Sequence, residues 1–140
     1  MRIRSIVSLC GAVLLAACST TTLSSVDLPA TVTLGPGAHV GIRGTSWTLA
    51  FDSVVSDSRC PIDVVCIQAG EALLALALNN PLVDPAPGNP PQFTLGIGSV
   101  NKYGFKFTQL AVTPAPRSTV RIDRGAYRAT LKVEQLIDPF

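Results

Sequence analysis

From Tyr127 to Glu134 every second residue is apolar. Tyr127, Ala129, Leu131 and Val133 alternate with Arg128, Thr130, Lys132 and Glu134. Successive side chains of a strand point to opposite faces, so this octet has one apolar and one charged face. An antiparallel strand with one wet side needs that pattern, and a helix would scatter it around its circumference. The same parity recurs upstream in shorter pieces. Thr31 to Leu34 and Ala38 to Ile42 read as strands parted by a turn at Gly35-Pro36-Gly37. Trp47, Leu49 and Phe51 alternate with Thr48, Ala50 and Asp52, and Val54 and Val55 carry the run towards Asp57. Phe93, Leu95 and Ile97 alternate with small residues, Asn101-Lys102-Tyr103-Gly104 reads as a turn, and Phe105 and Phe107 resume. Pro114 and Pro116 then break the chain. Val120 and Ile122 predict a final hairpin onto the Tyr127 strand, turning at Asp123-Arg124-Gly125 with the glycine at positive φ.

One segment is ambiguous by periodicity. Glu71 to Leu78 is nearly all apolar, with Leu74, Leu76 and Leu78 on one face, and alanine and leucine also favour helix. Its length, the preceding Ala69-Gly70 and its strand-like neighbours predict a central strand. Asn79 to Gln92 holds five prolines, at 81, 85, 87, 90 and 91, and reads as an exposed loop with polyproline character. No internal repeat and no long amphipathic helix is present. The expectation is an all-β domain, a small antiparallel β-sandwich or a barrel-like fold.

The first seventeen residues follow a different logic. Met1-Arg2-Ile3-Arg4 is a basic start, Ile6 to Leu15 an apolar run too short to span a bilayer, and small residues follow. That is a secretory signal peptide over residues 1–17. Leu15-Ala16-Ala17-Cys18 resembles the lipobox of bacterial lipoproteins, which implies that Cys18 becomes the first mature residue and carries lipid such as palmitate. The alternative is an ordinary signal cleaved near Ala17, with Cys18 an incidental thiol. The stretch 18–29 reads as the lipidated cysteine and a flexible tether, spanning roughly 18 Å by the flexible-linker rule, and 30–140 as a single β-domain. Ser19, a non-acidic residue after the lipidated position, points by the same resemblance to the outer membrane, facing the periplasm, rather than the inner one.

Charge follows from the signal. The whole chain carries +2, but Arg2 and Arg4 leave with residues 1–17, so nine bases then face nine acids. Such a chain has no electrostatic footprint for nucleic acid. The expected attachments are the membrane, through lipid on Cys18, and an envelope or protein partner that the residues do not identify.

Of four cysteines, Cys10 leaves with the signal and Cys18 takes the lipid. Cys60 and Cys66 remain, an even pair for an oxidising compartment. A structural disulfide across five intervening residues is favoured, with Pro61 helping the turn. A redox pair usually has the shorter C-x-x-C spacing. A metal would need those thiolates with His39 and Asp57 or Asp63, one histidine and one cysteine pair being a poor set for structural zinc. Thioether copper sites are excluded, since the only methionine is Met1. Neither metal nor cofactor is expected. Catalysis with a histidine base would rest on His39 alone, in a short strand. The carboxylates Asp52, Asp57, Asp63 and Glu71 lie close in sequence and leave a paired-carboxylate site open. The blander reading has Asp57 capping a turn and Arg59 pairing with a nearby acid. Arg117, Arg121, Arg124, Arg128 and Lys132 form a basic end that reads as the solvated face of an edge hairpin, with anionic headgroups or a polyanionic partner as the alternative.

The block Asp57-Ser58-Arg59-Cys60-Pro61, then Val65-Cys66-Ile67, then Ala69-Gly70-Glu71-Ala72 resembles a family of small exported bacterial lipoproteins with the pattern D-S-R-C-P-x-x-V-x-C-x-W-A-G-x-A. Gln68 stands where tryptophan is frequent. The resemblance implies export and a disulfide and assigns no active site. The expected function is therefore a lipid-anchored, non-catalytic binding or interaction module of the cell envelope, with Asp57, Arg59, Asp63 and Glu71 as candidate interaction residues. The alternative is an envelope enzyme, or an enzyme inhibitor, working through the Asp57–Glu71 region.

Overall fold

A computed structural model describes residues 24–83 and 91–137. The expected signal peptide (1–17), Cys18 and residues 84–90 of the proline-rich stretch lie outside the described residues. Among the described residues nine strands form: β1 (Ser25–Val26), β2 (Ala30–Leu34), β3 (His39–Ile42), β4 (Thr48–Asp57), β5 (Ala72–Asn79), β6 (Gln92–Leu95), β7 (Gly98–Lys102), β8 (Phe105–Thr113) and β9 (Arg128–Gln135). They make two sheets, ordered β1-β3-β4-β5-β6 and β2-β9-β8-β7. All pairings are antiparallel except β1 with β3. The sheets pack face to face as a β-sandwich and do not close into a barrel.

The inward parity of each strand supplies the core. Leu49 and Phe51 of β4, Leu74, Leu76 and Leu78 of β5, Phe107 of β8, and Ala129, Leu131 and Val133 of β9 are sealed from solvent. On β9 the opposite parity, Arg128, Thr130, Lys132 and Glu134, stays at least partly exposed, as the alternation predicts. The ambiguous Ala-Leu segment is β5, a central strand bonded to β4 along its length and to β6 over Leu74 to Ala77. Neighbours on both edges take its backbone groups, which overrides its helical leaning.

Several expectations change. No strand forms over 119–123, where only an isolated Arg117–Val120 bridge precedes a 3-10 turn at Arg124–Ala126. Both edges of β9 are already occupied by β2 and β8, so a hairpin has no edge to pair with. Asp123 instead caps that turn by accepting from Gly125 N at 3.1 Å, and Gly125 is not among the glycines with positive φ. The charged face of β9 is accordingly not that of an edge hairpin. Ile97 is 71% exposed. Its parity matches Phe93 and Leu95, but β6 ends at Leu95 and the chain crosses to the other sheet at Gly98. The Asn101–Gly104 turn is tighter than expected. Asn101 and Lys102 belong to β7, and only Tyr103 (φ 50°) and Gly104 (φ 80°) turn, the two-residue geometry that matches strand twist. Part of the stretch assigned to the tether also joins the sheet. Ser25 and Val26 pair with Gly41 and Ile42, and Arg43 bonds Asp27 at 2.7 Å.

Candidate functional site

The cysteine loop leaves β4 at Asp57 and returns at β5 through Glu71. At its base, Arg59 grips Asp57 with a two-pronged ion pair, Nε to Oδ1 at 2.8 Å and Nη2 to Oδ2 at 2.7 Å. Such forks are the strong form of this contact. The same guanidinium donates to the carbonyl of Val112 and, at 2.9 Å, to that of Pro114. The Tyr127 hydroxyl donates to Asp57 Oδ2 at 3.1 Å. The Asp57–Arg59 pair thus joins the end of β4 to the end of β8 and to the residue before β9, across the two sheets. The pair is largely shielded, with 11% of the Asp57 side chain and 18% of that of Arg59 exposed. The Arg59 hydrogen bonds hold the Asp57 carboxyl below the usual carboxylate range against the opposing effect of burial. Asp57 in turn raises the Arg59 guanidinium, and burial, then the Asp57 charge, raises the Tyr127 phenol.

Ser58 and Glu71 pinch the neck of the loop. Ser58 N donates to Glu71 O at 2.8 Å, and Glu71 N to Ser58 Oγ at 3.1 Å. Glycine at 70 lets the strands close there, because a Cβ would stand 1.6 Å from Ser58 O. Within the loop, Cys60 and Cys66 form a disulfide with Cα atoms 5.9 Å apart. The loop's outer side is tied down too. Ile62 N donates to Pro116 O at 3.0 Å, while Asp63 accepts from Ser118 N at 2.9 Å and Ser118 Oγ at 2.6 Å. The Ser118 bonds also lower the Asp63 pKa. Glu71 accepts from Ile97 N at 2.8 Å, which fastens the crossover between sheets.

The four candidate residues do not converge. Asp57 and Arg59 meet; Asp63 sits on the outer side with Ser118, and Glu71 at the crossover with Ile97. Glu71 lines an open hollow of about 590 Å³ with Gln68 and Gly70. Asp57 lines a separate one of about 340 Å³ with Arg121, Arg124 and Tyr127. Their polar atoms are engaged in fastening the loop, and a carboxylate held ionised by a bidentate arginine is a weak proton acceptor. His39 lies exposed on β3. Among the described residues no three His, Cys, Asp or Glu side chains gather as metal ligands.

Sequence reading missed Tyr127, Ser118 and the carbonyls of Val112 and Pro114 as partners of this block. Parity placed the Tyr127 ring in the core, and nothing local identifies the partner of its hydroxyl. It also missed what the loop displays. Val65 and Ile67 are wholly exposed, with Ile62 and Val64 beside them and Ile97 on the adjacent crossover. Unpatterned valine and isoleucine in a short loop give no sign of which way they point. The loop is thus closed by a disulfide and tied to the sandwich by an ion pair, while these aliphatic side chains stay uncovered. Compared with known proteins, the chain matches no family model, no curated protein and no solved structure.

Proposed function

We propose that this protein is a lipid-anchored binding module of the bacterial cell envelope, held through Cys18 and working through the Cys60–Cys66 loop. The observation that carries the reading is the division of labour within the loop. Its polar side chains Asp57, Arg59, Asp63 and Glu71 are engaged with other parts of the chain and fasten it, while Val65 and Ile67 stand wholly exposed. A rigid loop loses little conformational entropy on binding, which favours affinity from a small apolar contact. The lipobox-like Leu15-Ala16-Ala17-Cys18 and the resemblance to small exported lipoproteins support the location. An envelope enzyme working through paired carboxylates is the weaker reading, because Asp57 and Glu71 line separate hollows.

Two measurements test it. Metabolic labelling with a fatty-acid probe should mark the wild type and not Cys18→Ala; equal labelling would sink the anchor. A photo-crosslinking side chain at Val65 or Ile67, in intact cells, should give a discrete product that is absent when the same group sits at exposed Thr31 of β2. The same product pattern from all three positions, or none from the loop, would overturn the loop as the binding surface.

A further inference from the structure

We infer that the end of the sandwich where the chain enters the fold rests on the lipid surface, through Trp47, Tyr103, Leu136 and Ile137, and that the disulfide loop is the membrane-distal tip. This rests on the lipid anchor proposed above.

Strand register fixes which end is which. Ser24 O accepts from Gly41 N at 2.9 Å, and Gly41 lies opposite Thr48, the first residue of β4. The cysteine loop follows Asp57, the last residue of the same strand. At the usual rise per residue the two ends of β4 are about 30 Å apart. Five residues lie between Cys18 and Ser24, and the six chain steps reach at most about 20 Å when fully extended. A lipid on Cys18 therefore holds the Ser24 end near the bilayer.

That end carries what an interface favours. The Trp47 ring, half-buried, stacks on Tyr103 with centroids 5.1 Å apart and meets Phe105 edge-on. Tyr103 is 51% exposed and Ile137 88%. Leu136 N donates to Gly104 O at 2.8 Å, which sets Leu136 and Ile137 beside the Tyr103 turn. Tryptophan and tyrosine rings settle at headgroup level, apolar body inward and polar edge to water. Lys102, next to Tyr103, is exposed and forms no ion pair among the described residues, a suitable neighbour for anionic headgroups. The short tether keeps this patch at high effective concentration next to the bilayer, so even a weak contact is populated. The exposed aliphatic side chains of the loop lie at the far end and remain available to a partner.

Trp47 is the chain's one tryptophan, so its emission reports this contact without any substitution. The mature protein, its acyl mass confirmed, is placed in vesicles of phosphatidylethanolamine and phosphatidylglycerol with or without headgroup spin-labelled lipid. Emission should drop about twofold or more with the label if the ring lies at the headgroups. A Trp47→Phe, Ile67→Trp variant should show no drop, and Tyr103→Asn with Ile137→Asn should weaken quenching of Trp47 while acylation is unchanged. A mature protein without acyl mass overturns the anchor reading and this inference with it. An acylated protein with Trp47 unquenched, or with the loop tryptophan quenched as strongly, overturns the orientation alone.

Discussion

The Tyr127 hydroxyl donates to Asp57 Oδ2 across 3.1 Å and so ties the residue just before β9 of one sheet to the residue that closes β4 in the other. Arg59 completes the junction by holding the same carboxylate and two carbonyls beyond β8 and at its end. The loop that bears the exposed side chains is mounted on this contact.

Removing one partner should expose the hierarchy of that junction. Tyr127→Phe keeps the ring and loses one hydrogen bond, a cost of about 1 kcal/mol. Arg59→Met leaves a shielded carboxylate without its cation and should cost about 3 kcal/mol. Urea melts decide between them. If Arg59→Met costs no more than Tyr127→Phe, the ion pair is not what holds the loop.

Acid should dissolve the same contact. The Asp57 pKa is lower in the folded chain than in the unfolded one, so the unfolded state takes up its proton first as pH falls. Its contribution is complete above the ordinary carboxylate value, about pH 4, and is lost as pH falls from there through the depressed folded value. The stability gap between wild type and Asp57→Asn should therefore be widest near neutrality and close as pH drops below about 4. A gap that stays constant across that window would show that the charge of Asp57 is not the stabilising feature.

Gly70 and Gly96 should differ in tolerance. A methyl at 70 would stand 1.6 Å from the backbone oxygen of Ser58, and backbone has nowhere to go. Gly70→Ala is expected to cost more than about 3 kcal/mol. A methyl at 96 would meet Glu71 Oε2 at 2.1 Å, the end of a side chain that can swing aside. That movement gives up the bond to Ile97 N, about 1 kcal/mol. Thermal melts of the two variants with equal losses would contradict the close packing of the loop neck.

On β9 the facing can be read by substitution. Leu131 is fully buried, and Leu131→Ala should destabilise by about 2–5 kcal/mol. Lys132 makes an exposed 2.8 Å pair with Glu134, so Lys132→Ala should stay within about 0.5 kcal/mol. Equal costs in urea would mean that the strand faces the other way.

The disulfide should matter less to the fold than to the loop. Cys60→Ala with Cys66→Ala is expected to cost roughly 2 kcal/mol, since the closed loop is short. The Ile62–Pro116 and Asp63–Ser118 bonds remain to hold the chain. Mass spectrometry after alkylation checks the bridge in protein from an oxidising envelope, where two alkylatable thiols would refute it.

Alternation gives the faces of β5, of β9 and of β4 as far as Phe51, because the direction of successive side chains follows from covalent geometry within one strand. Beyond Phe51 two register shifts break it and leave Val55 exposed. The Cys60–Cys66 pairing was legible for a similar reason, being the one even pair left within a short span. Partnership was not legible. Val32 lies opposite Leu131 across nearly the whole domain, and β9 takes β2 and β8 rather than the nearby residues 119–123. Ile97 has the parity of a core residue and stands in solvent because the chain changes sheets one residue later. The cluster of acids between Asp52 and Glu71 leaves a shared site open, yet the folded loop sends Asp57 to Tyr127, Asp63 to Ser118 and Glu71 to Ile97. These outcomes depend on which apolar faces meet and where each polar atom then finds a partner. That is settled by burial over the whole chain, so only the tertiary structure could decide it.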